Sequence, residues 1–205
     1  MIRITRKNVI FTLGLVLLTI IGCTEQTANR QFGNIALADG DLIFRKGIGA
    51  KSRAVLNVDT GGIYSHSGII VRNDSGFRVV HITPGERKHG ERYDKIKAEP
   101  IEEFWSRDKA QNGAIYRLKN NVPCTQAGRQ ALRLLRKGIL FDHDYELGDT
   151  TQMYCTELIW YVYRQAGIDI THGKRSRLNV PLYSGTYIFP SDIYRNKDFQ
   201  LIYKF

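Results

Sequence analysis

The chemistry of this chain rests on its cysteines and histidines. Cys155 stands in the run Tyr154 Cys155 Thr156 Glu157 Leu158 Ile159 Trp160. Leu158, Ile159, Val162 and Ala166 recur there at helical spacing and Gly167 supplies a stop, so the cysteine is predicted at the mouth of an amphipathic helix. The free N–H groups and positive dipole end of a helix start stabilise a thiolate. They predict a thiol pKa lowered from about 8.5, and the same donors could receive the oxyanion formed when a carbonyl is attacked. A buried cysteine acting as a small hydrophobe fits the same local pattern.

A nucleophilic thiol needs a base within hydrogen-bond reach, and that base needs a third group to fix its tautomer. The histidines are His66, His81, His89, His143 and His172. His66 opens the run His66 Ser67 Gly68 Ile69 Ile70 Val71, and His81 lies near the end of Phe77 Arg78 Val79 Val80 His81 Ile82. Between them Asn73 Asp74 Ser75 Gly76 has the turn chemistry of a β-hairpin, so strand pairing would bring the two imidazoles together. His89, His143 and His172 read as polar residues at strand ends. Zinc is the competing use of histidines with a cysteine, but no pair has the short spacing of a compact metal site, and neither a metal nor another cofactor is expected.

Elements able to position these groups can be read from the rest of the chain. Gly40 to Arg45 reads as a turn and a short strand, Pro100 to Trp105 as a short helix with proline in its first turn, and Ala114 to Leu118 as a strand. Thr125 to Lys137 carries Ala127, Ala131, Leu134 and Leu135 on one helical face ended by Gly138. Gly47 to Gly62 reads as a polar connection, and Tyr187 to Phe189 and Phe199 to Tyr203 as further strands. The pattern is an α+β domain, a mainly antiparallel sheet packed against two or three helices, with no repeat and no internal linker.

The N-terminal residues read as an address. Arg3, Arg6 and Lys7 precede an apolar run from Val9 to Ile21, the pattern of a signal peptide and short of the roughly 20 residues that span a bilayer. The ending Ile20 Ile21 Gly22 Cys23 resembles a bacterial lipobox, in which Cys23 would be lipidated. Residues 1–23 are thus expected to be a lipoprotein signal peptide, 24–38 a tether and 39–205 a single domain. The expected destination is export to the cell envelope with a lipid anchor in the membrane. Exported chains often pair their cysteines, so a bridge between Cys124 and Cys155 is the structural alternative to a reactive thiol. The net charge of +10 falls to +7 without the three N-terminal cations, and the remainder is scattered; no nucleic-acid motif accompanies it, and none is expected as partner.

Taken together, Gly40 Asp41 Leu42 Ile43 Phe44, Tyr64 Ser65 His66 Ser67 Gly68 Ile69 Ile70, Val80 His81, Ile101 Glu102 Glu103 Phe104, Tyr116 Arg117 Leu118, Phe141 Asp142 with Tyr145, and Tyr154 Cys155 Thr156 Glu157 Leu158 resemble, in order, the permuted NlpC-type papain-like cysteine hydrolases, often called YiiX-like. The resemblance covers about Ala38 to Gly167. It implies a circularly permuted papain-like fold, with Cys155 as nucleophile, His66 as base and His81 as the residue orienting it. It further implies hydrolysis of an amide bond in a peptide, cell-wall peptide or N-acyl amino acid through an acyl-enzyme, with lipid deacylation, acyl transfer or ligand binding without turnover as alternatives. Tyr64, Tyr145 and Tyr154 are the tyrosines placed to serve an oxyanion or substrate pocket. Phe141 stands where relatives often carry tyrosine, so Tyr145 or backbone N–H groups would have to donate instead. Glu157, in the first helical turn, is expected to be structural.

Overall fold

A computed structural model describes residues 35–205 except 88, 120–123 and 181–182; the expected signal peptide, Cys23 and most of the expected tether lie outside them. Strands β1 (Leu42–Gly47), β2 (His66–Asn73), β3 (Gly76–His81), β4 (Lys97–Glu99), β5 (Ala110–Leu118) and β10 (Phe199–Lys204) form one sheet in the order β10-β5-β1-β2-β3-β4. Every neighbouring pair in it is antiparallel. Helices α1 (Ala50–Val58), α2 (Ile101–Phe104), α3 (Cys124–Lys137), α4 (Cys155–Gln165) and α5 (Pro190–Tyr194) punctuate it, with two short strand pairs, β6 (Leu140–Phe141) with β7 (Gln152–Met153) and β8 (Ser176–Val180) with β9 (Tyr183–Tyr187). The α+β, mainly antiparallel architecture expected from the sequence is the one observed.

Alternation along the strands gives the sheet two buried faces. Leu42, Phe44, Ile69, Val71 and Val80 pack beneath α3 and α4, where Ala127, Ala131, Leu158, Ile159 and Val162 close the larger core. Ile43, Ile70, Val79 and Ile115 face the other way against Phe104 and Trp105. The β2–β3 hairpin closes as its composition dictates: Ser75 N–H donates to Asn73 Oδ1 at 3.0 Å, and Gly76 takes φ +97°, a conformation open to glycine.

The structure departs from the sequence reading in three places. Gly47 to Gly62 contains α1, Tyr187 ends β9 while Phe189 caps the start of α5, and a two-stranded hairpin fills 176–187. Asp41, within the Gly40 Asp41 Leu42 motif, is structural. It is buried and takes two 2.7 Å bonds from the Arg117 guanidinium, tying the start of β1 to β5.

Candidate active site

Cys155 is the first residue of α4, and Tyr154 ahead of it is extended (φ −96°, ψ 171°), so the sulfur sits where the helix presents unpaired N–H groups. Helix α4 crosses β2, and the thiol reaches the strand at Ser67: the Ser67 hydroxyl and amide and the amides of Thr156 and Cys155 itself all turn toward it. The Ser67 hydroxyl is fully enclosed and makes no aligned hydrogen bond among the described residues; the thiol is the polar group it faces. Cys155 and Cys124 are both free, and the expected alternative of a bridge between them is not formed.

Ser67 follows His66 directly, and the register of the sheet explains where the imidazole goes. His66 pairs with Arg45, while His81 lies across from Gly68, so the two rings are diagonal neighbours on one face. His66 Nε2 stands 2.9 Å from His81 Nδ1, and both rings pack on Phe104, their centroids 5.5 and 5.0 Å from its ring. The approach of the two histidines is the one expected from the hairpin. Among the described residues the other nitrogen of His66, Nδ1, bonds to no protein group, and the resting thiol makes no hydrogen bond to it.

One neighbour is absent from the sequence reading. Glu99, on β4, brings Oε1 to 3.1 Å from His81 Nε2 and is itself held by Lys97 at 3.0 Å and Lys109 at 3.4 Å. Glu86 extends the network, pairing with Arg45 and with Lys97 at 2.9 Å. Of these groups His81 and Glu99 are almost wholly buried. A local signal for Glu99 does not exist; the residue becomes visible only through the β3–β4 pairing of His81 with Lys97.

Burial governs the protonation states. It pushes the Cys155 thiol above its ordinary value, and the hydrogen bonds from Ser67 and the helix-start amides offset this only in part. The expectation of a lowered thiol pKa is therefore corrected: desolvation of the anion outweighs the dipole here. His66 is held well below 6.5, first by burial and then by the positive charges of Arg45 and its neighbours. His81 falls to about 4 through burial, with Glu99 opposing. At neutral pH the resting pair is a neutral thiol and a neutral imidazole.

His81, Glu86 and Glu99 offer three ligand atoms within 4.8 Å of one another, the one such group among the described residues. They do not suit a metal ion, because Arg45, Lys97 and Lys109 already occupy the carboxylates and place three positive charges around the position an ion would take.

The three tyrosines have separate surroundings. Tyr64 is buried in a cluster with Phe44 and Tyr194, centroids 5.7 and 5.1 Å away. The Tyr154 hydroxyl accepts a 3.0 Å bond from the Ile188 amide and so braces the segment after β9 against the start of α4. Tyr145 lies 5.6 Å from the Tyr154 ring at φ +58°, a conformation costly for a bulky residue, on the loop that follows Phe141. That loop is fastened to α4 by Glu157, whose Oε1 accepts from Gly148 N–H at 2.9 Å. Burial raises the Glu157 carboxyl to about 7, against the lowering effect of the Gly148 and Tyr154 backbones.

A stability prediction follows from that value. The native protein binds more protons at Glu157 than the unfolded chain between about pH 4.5 and about pH 7, so this residue makes stability fall as pH rises through the window. Glu157→Gln is expected to remove that component. Thermal melts at pH 5 and pH 8 should show a smaller loss for the variant than for the parent, and an equal loss would contradict the assignment. His89, His143 and His172 are exposed; His143 lies 3.7 Å from Asp94 and His172 2.7 Å from Asp198.

Comparison with known proteins identifies the family and the fold. A sequence model of the permuted papain-like amidase enzymes, the YaeF/YiiX, C92 family, matches residues 36–203. No curated protein matched the sequence. Among solved structures, one described as metalloprotein yiiX from Escherichia coli O157:H7 superposes with a TM-score of 0.65 at 19% identity, over 82% of this chain and 97% of its own.

Proposed function

This chain belongs to the permuted papain-like amidase family, and from that premise we propose that it is a thiol hydrolase cleaving an amide bond through an acyl-enzyme, with Cys155, His66 and His81 as its working groups. The observation that carries the reading is a thiol on the first residue of α4, beside Ser67, with His66 next along the strand and backed at 2.9 Å by His81.

In the proposed cycle His66 Nδ1 takes the thiol proton as sulfur adds to the carbonyl carbon. The N–H groups at the start of α4 face the oxyanion, a role the Phe141 ring could not fill. The resulting imidazolium gives its proton to the departing amine, leaving the acyl group on sulfur. Water then enters, loses a proton to His66 and releases the acid, and the thiol is restored. The residue 1–23 segment is proposed to export and lipid-anchor the domain, which would bring it to peptides, cell-wall peptides or N-acyl amino acids of the envelope.

The reading is tested by offering the purified protein peptide amides, cell-wall peptides, N-acyl amino acids and phospholipids in parallel. Amide cleavage is expected, with an acyl mass on the Cys155 peptide after acid quench. Release of fatty acid from phospholipid with every amide left intact would sink it in favour of a lipid deacylase.

A further inference from the structure

One residue, His81, separates Glu99 from the imidazole that the proposed reaction uses, and the polar contacts along that path have one consistent placement of protons. Lys97 and Lys109 both reach Glu99 Oε2, so the carboxylate is ionised and can only accept. His81 Nε2 lies 3.1 Å from Glu99 Oε1, and neither atom has an aligned hydrogen bond to any described residue, so the anionic oxygen draws the ring proton to Nε2 as a close charge contact. His81 is buried among Arg45, Lys97 and Lys109, which excludes a second proton on its ring, so Nδ1 holds a lone pair. That lone pair faces His66 Nε2 at 2.9 Å, and the contact is a hydrogen bond only if His66 carries its proton on Nε2. The basic lone pair of His66 is thereby left on Nδ1, the nitrogen with no protein partner among the described residues.

We propose that Glu99 is a positioning residue which, by fixing the tautomer of His81, fixes that of His66 and so selects Nδ1 as the base that receives the Cys155 proton. This rests on the hydrolase reading and adds to it a residue, a direction for the His66–His81 hydrogen bond and the identity of the reacting nitrogen. The two lysines at its Oε2 keep the selector ionised through the working pH range. Burial alone would raise its pKa, but His81 and Lys97 hold it well below the usual carboxylate value.

A double-mutant cycle on the amide substrate tests the inference. Where a carboxylate contacts the catalytic histidine directly, its amide replacement costs about 10⁴ in kcat; with a neutral ring interposed, Glu99→Gln is expected to cost about 10- to 100-fold in kcat with KM unchanged. In a His81→Gln background the glutamine carbonyl accepts from His66 Nε2–H without help from any tautomer. The added cost of Glu99→Gln should there shrink to under about twofold. The same loss in both backgrounds would show that Glu99 merely holds the fold, and would overturn the proposal. A measurement on the unmutated protein is independent of folding defects. Nitrogen-15 spectra at neutral pH should give Nε2–H for both buried rings, and an Nδ1–H signal from either would overturn the assignment. Failure of the hydrolase reading looks different, since the chain would then turn over no amide with Glu99 intact.

Discussion

Cys155→Ala is expected to lower amide turnover by roughly 10⁴-fold or more, to the level of the assay blank, while the melting temperature moves by only a few degrees. The asymmetry follows from what the side chain does in each setting. The residue is half-buried at a helix start, with the thiol turned inward, so its loss removes a few contacts and leaves the amides of Cys155 and Thr156 to water. In the reaction it is the atom that bonds to the acyl carbon, and neither Ser67 nor the neighbouring tyrosines can replace it at neutral pH. Cys124→Ala is the matched control. That thiol begins α3 near Tyr163 and Gly40, and Gly40 bonds to Ile70, further along β2 than the residues that meet Cys155. The control should retain full activity. A Cys155→Ala protein that still turns over substrate, or one that still gains an acyl mass on quench, would end the case for this nucleophile.

How much of this was legible beforehand depended on whether the signal was local. Helices α3 and α4 and the β2–β3 hairpin could be read because their apolar residues repeat at the period of the element and their glycines stand at the ends. Helix α1 could not, for it buries no residue at all and so leaves no apolar stripe. The β8–β9 hairpin is hard to read because Ser176, Arg177 and Asn179 surround Leu178 in one strand, and Ser184, Gly185 and Thr186 fill the middle of the other. His66 and His81 were found because hairpin geometry is local. Glu99 was not, because it reaches His81 through a strand that lies sixteen positions further along and carries no motif of its own. The sign of the thiol's shift is not legible in the sequence, because a helix dipole can be read from it whereas the depth at which the helix start is buried is a property of the packed molecule. Tertiary burial decided that competition.

His66→Ala is expected to be the second severe variant, with kcat/KM reduced about 10²- to 10⁴-fold, the range assigned to a lost general base. The protonation states make the prediction sharper than a simple loss. The parent begins from a neutral thiol, pushed upward by burial, and a neutral imidazole held well below 6.5. Its acid limb should therefore fall below pH 6.5, and iodoacetamide should alkylate Cys155 slowly at neutral pH, with a rate that climbs toward alkaline pH and shows no plateau near pH 5. A preformed thiolate and imidazolium pair would show that plateau. In the variant the acid limb should vanish and the residual rate should rise with hydroxide. Stability supplies an independent sign. Between the depressed pKa of His66 and 6.5 the native state binds fewer protons than the unfolded chain, so the parent loses stability as pH falls through that window. His66→Ala removes this group from the balance and should melt with a shallower dependence on acid. Parental rates in the variant, or an alkylation plateau near pH 5 in the parent, would mean that His66 is not the group that takes the proton from sulfur.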